Sequence, residues 1–165
     1  MRREQLDNRW QPWRWVLEDV VPQEPAFGAA PRLLRQTDEV AQWLFPGFSV
    51  ELFRDDAEGY HLNATSPAPC WFVLWRLDEE PAEGADSAQR LARPVEVSLS
   101  YHDAGRWLDA QETAEQVPVP PEVLAALQAF VAEHYQPEPK RRKRPDSFQP
   151  LQDRFGNPAS VSTEK

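Results

Sequence analysis

A chain of 165 residues, 41% hydrophobic and 11% aromatic, can bury one sizeable core but is short for two. Its single cysteine, Cys70, excludes an internal disulfide or a cysteine cage for zinc, and no stretch nears the roughly 20 apolar residues of a membrane span. Residues 1–139 hold 11 arginines, no lysine and 24 acids, a net charge of about −13 that repels nucleic-acid and membrane phosphates.

The polar start 1–8 lacks the apolar centre of a signal peptide, so the cytoplasm is the expected compartment. The 17 prolines, about twice the usual share, fall mostly between apolar runs and favour short elements joined by rigid loops. Alternation of Trp13, Trp15 and Leu17 with Arg14, Val16 and Glu18 predicts a half-buried strand over 13–20. Residues 21–31 read as loop, and Leu33 with Leu34 opens a short strand. Two further strands are predicted over 48–54, where Phe48, Val50 and Leu52 alternate with Ser49 and Glu51, and over 59–64, where Tyr60 and Leu62 alternate with His61 and Asn63. A hairpin loop at 55–58 joins them. The apolar run 71–77 has the length of a central strand covered on both faces.

Residues 78–93 lack apolar periodicity and read as a long mobile loop with one helical turn near 87–91. Val95, Val97, Leu99 and Tyr101 then alternate with Glu96, Ser98 and Ser100 as in an antiparallel strand. Ser100 and Asp103 are spaced as a near capping box for a helix over 101–110 that buries Ala104, Trp107 and Leu108, with Gly105 weakening it. The alternating prolines of 117–120 require extended backbone. Pro121 and Glu122 suit the first turn of a helix, whose stripe of Val123, Leu127, Phe130, Val131 and His134 is expected to lie on the sheet. From Gln136 onward prolines and charge predict a disordered tail that is dispensable for folding. The expected unit is a single α+β domain over 1–135, a mainly antiparallel sheet of about five to six strands with one short helix and one amphipathic C-terminal helix packed on it.

His61, His102 and His134 have no spacing that forces them together, so they read as separate edge histidines rather than a metal or general-base site. Cys70 has no base beside it in the sequence and reads as a buried, inert thiol. Asp55, Asp56 and Glu58 lack the ligand alternation of a calcium loop and read as solvated turn acids. With six glycines there is neither a glycine-rich phosphate cradle nor a serine-centred nucleophile elbow, and no catalytic, metal or cofactor-binding residue is expected. Two features suit a protein partner. Trp10, Trp13 and Trp15 stand beside Arg9 and Arg14, residue types that dominate interface hot spots, although tryptophans buried under snorkelling arginines are the plainer reading. Lys140, Arg141, Arg142, Lys143 and Arg144 form a basic run that either meets RNA, a membrane surface or an acidic partner, or offsets the acidic body.

Three stretches carry a family pattern. The first is Leu6, Asp7, Asn8, Arg9 and Trp10 with Trp15 and Pro22; the second is Glu58, Gly59 and Tyr60 with Asn63, Ser66 and Pro67. The third runs from Val97, Ser98, Leu99 and Ser100 through Ala104, Leu108, Asp109 and Glu112 to Val117, Pro118, Val119 and Pro120, then Phe130, Val131, His134 and the basic run. Over residues 3–144 their order and spacing resemble an uncharacterised family of bacterial proteins, a domain of unknown function whose members are commonly encoded beside molybdenum-dependent formate dehydrogenases and their maturation factors. Relatives usually begin with an apolar strand before the pair Arg2 and Arg3, so a start upstream of Met1 or a missing strand is expected. Tyr101 stands where relatives tend to have proline, and Gly105 and Gln111 also depart from the pattern.

The resemblance implies a non-catalytic accessory protein for assembly, maturation or stability of a molybdenum-dependent formate dehydrogenase, whose partner is a subunit of that enzyme or a maturation factor. An enzyme handling the molybdenum cofactor, of the nucleotidyl transferase type, is the alternative, and the missing glycine-rich loop weighs against it. A nucleic-acid-binding regulator acting through the basic tail conflicts with the acidic body.

Overall fold

The computed structural model describes residues 1–79 and 90–137. Among these, seven strands form two antiparallel sheets and three α-helices pack around the second sheet, an α+β arrangement. No helix among the described residues is long and apolar enough to cross a membrane.

The first sheet contains β1 (Arg2–Gln5), β2 (Trp13–Val16), β3 (Arg32–Gln36) and β4 (Val40–Leu44) in the order β2-β1-β4-β3. Strands β2 and β3 follow the sequence reading, although β2 stops at Val16 rather than at residue 20. Strand β1 carries no apolar alternation. Tertiary pairing makes it a strand, with Arg3 opposite both Trp15 and Ala41. Ion pairs hold its side chains: Glu4 meets Arg2 at 3.1 Å and Arg14 at 2.5 Å, while the Arg3 guanidinium lies 4.7 Å above the Trp13 ring. The pair Arg2 and Arg3 therefore lies within a strand.

In the second sheet β5 (Cys70–Leu77) is central, between β6 (Ala92–Ser98) and β7 (Thr113–Pro118). Its nearly unbroken apolar run is covered on both faces, as its composition requires. Phe72 and Leu74 meet Ala104 and Trp107 of α2 (Tyr101–Asp109). Ser100 caps this helix as its spacing predicts, its Oγ accepting the N–H groups of His102 at 3.0 Å and Asp103 at 3.4 Å. Leu108, expected inside, is exposed, because it sits about 70° around the helix from the midline of Ala104 and Trp107. The helix closes in a Schellman motif: Glu112 N–H donates to Trp107 O at 2.9 Å and Gln111 N–H to Leu108 O at 3.0 Å. Gln111 occupies its left-handed position at φ 61°.

Residues 59–64 form no strand. They belong to α1 (Ala57–Ala64), which follows a 3-10 turn at Arg54–Asp56. Ala57, Tyr60 and Ala64, with Gly59 and Asn63, face inward at helical spacing; a glycine and an asparagine on the inner face hide the apolar stripe, while the outward Leu62 imitates strand alternation. Residues 48–53 run without regular structure and pair with no strand among the described residues. Their alternation sets which side chains turn inward, Val50 and Leu52 reaching the core, and says nothing about a hydrogen-bonding neighbour.

Helix α3 (Pro121–His134) uses its predicted stripe mainly against α1. Leu127 and Val131 close on Tyr60, Ala64 and Leu99, Phe130 sets its edge on Tyr60 with ring centroids 5.8 Å apart, and the sheet is reached through Trp71. Of the loop predicted over 78–93, with its helical turn near 87–91, residues 80–89 lie outside the described residues, and Ala92 and Arg93 belong instead to β6; of the tail predicted from Gln136, residues 138–165 lie outside them. The loop's ends are joined by Asp78, which donates its N–H to Leu91 O at 2.9 Å and accepts two hydrogen bonds from Arg93, each 3.0 Å.

Two substitutions read this packing in opposite directions. A methyl group at Gly59 would overlap Ser100 Oγ and lie 2.7 Å from Asp56 Oδ1 and 3.0 Å from His102 Nδ1. Gly59→Ala is expected to lower unfolding free energy by about 1–3 kcal/mol despite alanine's better helix propensity. Gln111→Gly should raise it by about 0.5–1 kcal/mol, because glycine removes the left-handed penalty at the helix end. Urea unfolding of both variants checks the pair of signs.

Candidate functional site

The β1–β2 hairpin turns through residues 6–12, closed by Leu6 N–H donating to Pro12 O at 2.8 Å. Within the turn, Asn8 Oδ1 accepts the N–H of Trp10 at 2.9 Å and of Gln11 at 3.4 Å, an Asx turn that orders the tip locally. Trp10 is 92% exposed there, and Arg9 is exposed beside it. Trp13 and Arg14 do not join them. Trp13 is half-buried beneath Arg3, and Arg14 is bound to Glu4, so the expected aromatic and cationic cluster divides into a free tip and a structural stem. The basic run of Lys140, Arg141, Arg142, Lys143 and Arg144 lies outside the described residues.

At the opposite end of the hairpin an apolar cleft of about 340 Å³ opens between the two sheets. Leu17, Val20 and Phe45 line it from the first sheet and its connections, Trp71, Val73 and Val97 from the second, with Asp19 and Gln23 as polar groups. Its walls are fastened across the sheets: Leu17 N–H donates to Glu115 Oε2 at 2.5 Å, and Trp15 Nε1 donates to Arg90 O at 3.0 Å. This cleft was not visible in the sequence, since six separated stretches supply it. The apolar run Trp43, Leu44, Phe45, Pro46 was the available signal.

Several groups capable of chemistry are engaged in holding helices and loops. Asp56 Oδ1 and His102 Nδ1 are 2.7 Å apart and tie α1 to α2. Ser98 Oγ donates to Asp103 Oδ2 at 2.5 Å, and Asp103 also pairs with Arg106. Asn63, fully buried, donates to Cys70 O and Leu99 O, both at 2.8 Å, and accepts Cys70 N–H at 3.0 Å. Burial pushes the Cys70 thiol above its ordinary pKa, and burial likewise raises the Tyr60 phenol, opposed by the N–H that Phe53 donates to it. The three histidines stay separate in role: His61 stacks on Tyr135 with ring centroids 4.2 Å apart, His102 meets Asp56, and His134 packs edge-on to Phe130. Among the described residues no three His, Cys, Asp or Glu side chains are placed to hold a metal ion.

The model of the family described as "Protein of unknown function (DUF3305)" matches residues 1–144. The chain belongs to this family. The match covers every described residue and continues through the basic run to Arg144. No curated protein and no solved structure matches the chain.

The burial of Cys70 has a direct chemical readout. At pH 8 a small alkylating reagent is expected to modify Cys70 far more slowly in the native protein than in urea, because both access and thiolate formation are suppressed. Equal rates in the two states, followed by mass spectrometry, would show a thiol open to solvent.

Proposed function

We propose that this protein is a non-catalytic accessory factor that binds a protein partner in the assembly, maturation or stability of a molybdenum-dependent formate dehydrogenase. The observation that carries the binding reading is Trp10, 92% exposed on a turn ordered by the Asn8 side chain. A large aromatic carried on an ordered backbone turn has only its side-chain rotamer left to fix on contact, which suits an interface anchor. The engagement of Ser100, Asp56 and Asn63 in caps and ties supports binding over catalysis. The choice of partner rests on the genomic company of the family it resembles. A subunit of the enzyme or one of its maturation factors is the proposed partner, in the cytoplasm.

Deleting the gene is expected to lower formate dehydrogenase activity while leaving the transcript of its catalytic subunit unchanged. Complementation with Trp10→Ala should fail, with a loss of about 2 kcal/mol or more in partner affinity, although the variant melts like wild type. Arg14→Ala should complement well, since its guanidinium is already held by Glu4 and an exposed pair of this kind contributes under about 1 kcal/mol. Full rescue by Trp10→Ala would remove the hairpin tip as the contact. Normal activity with altered transcript would favour a regulator acting through the basic run.

A further inference from the structure

Among the described residues β6 is hydrogen-bonded only to β5, leaving its other edge open. Every second residue of such an edge turns its N–H and C=O away from the sheet. Facing it, residues 48–52 pass without a backbone partner among the described residues. Between the two lies a slot of about 470 Å³, walled by residues 47–51 and Phe53 on one side and 95–98 on the other, with Tyr60 and Asp103 also lining it. Phe48, Phe53 and Val95 keep exposed apolar surface there. Asp103 is neutralised by Arg106, whereas Glu51 and Glu96 make no ion pair among the described residues. The slot thus offers, among the described residues, unspent backbone groups, apolar walls and two carboxylates without an ion pair.

The chain itself carries the complementary segment. Tyr60 lines the slot, and the next residue, His61, stacks on Tyr135, two positions before the last described residue, Pro137. Three residues further the basic run begins, and an extended chain covers about 3.3 Å per residue, so the run is within reach of the slot. Pro145 biases Arg144 before it toward extended backbone, and residues 140–144, none of them proline, keep all five N–H groups. Pro94 interrupts the β6 edge, leaving a short ladder past it. The family match ends at Arg144, the last residue of the run, which makes these five residues part of the shared unit rather than an appendage.

We propose that residues 140–144 dock as an added strand in the slot between β6 and residues 47–53, with their cations against Glu51 and Glu96. The contact is intramolecular and stands independently of any formate dehydrogenase partner. Its electrostatic part weakens with salt.

The test uses the full chain and amide hydrogen exchange at residues 95–98, with the amides of β5 as an internal control of the fold. Changing Lys140, Arg141, Arg142, Lys143 and Arg144 together to serine is expected to speed exchange at 95–98 by about tenfold and leave β5 unchanged. The double variant Glu51→Gln with Glu96→Gln should do the same. A charge exchange, Glu51→Lys and Glu96→Lys combined with Lys140→Glu, Arg142→Glu and Arg144→Glu, should restore the slow exchange. Identical exchange in wild type and in the serine variant overturns the proposal. So does protection that rises with protein concentration and ignores the run, because a second copy would then occupy the slot.

Discussion

The side-chain amide of Asn63 is the contact on which the second half of the molecule depends. It is fully buried in α1 and closes three hydrogen bonds, two to Cys70 at the start of β5 and one to Leu99 between β6 and α2. Three separated parts of the chain are thereby held at one point. A buried amide that loses such partners costs roughly 1–3 kcal/mol for each group left unpaired, so the local geometry is strongly specified. Gly59 lies one turn earlier and lets α1 approach the cap of α2 closely enough for Asp56 to reach His102. With α1 fixed in this way, Tyr60 receives the Phe53 N–H, and residues 47–53 are drawn across the core beside β6.

The two sheets are stabilised by different physics. The second is apolar on both faces, with Phe72 and Leu74 under α2 and Val73 toward the cleft. The first relies on paired charge and stacked guanidinium, as Glu4 collects Arg2 and Arg14 and Arg3 covers Trp13. Exposed pairs of this type contribute little singly, so the ladders of β1 with β2 and β4 carry most of that sheet. The cleft lies where the polar sheet turns its remaining apolar residues toward the apolar one. The hairpin tip with Trp10 and the open edge of β6 are features of different sheets, so contacts at one need not disturb the other.

Elements decided by local chemistry were legible in the sequence. The Ser100 cap, the proline start of α3, the central apolar strand and the strand through Val95 and Val97, which ends at Ser98 rather than running on to Tyr101, follow from short-range rules acting within a few residues. The alternation at 48–52 indicated that Val50 and Leu52 face inward, whereas Phe48 stays exposed. Of the site residues singled out, Arg9 and Trp10 stand in solvent, while Trp13 and Arg14 are absorbed into the sheet by Arg3 and Glu4, partners ten residues away that no local pattern marks.

The sequence by itself determined the α+β class, the capped helix ends, the acidic body with its basic run, and family membership, because each depends on composition or on neighbours in the chain. Tertiary structure alone decided that residues 57–64 are a helix, since the inward glycine and asparagine gain their value only from Ser100, Cys70 and Leu99. It also decided that Arg2–Gln5 is a strand and that the apolar walls from six stretches meet in one cleft. Hydrogen-bond partners and cavity walls are contributed by distant segments, and a periodicity measured along one segment carries no information about where another will lie.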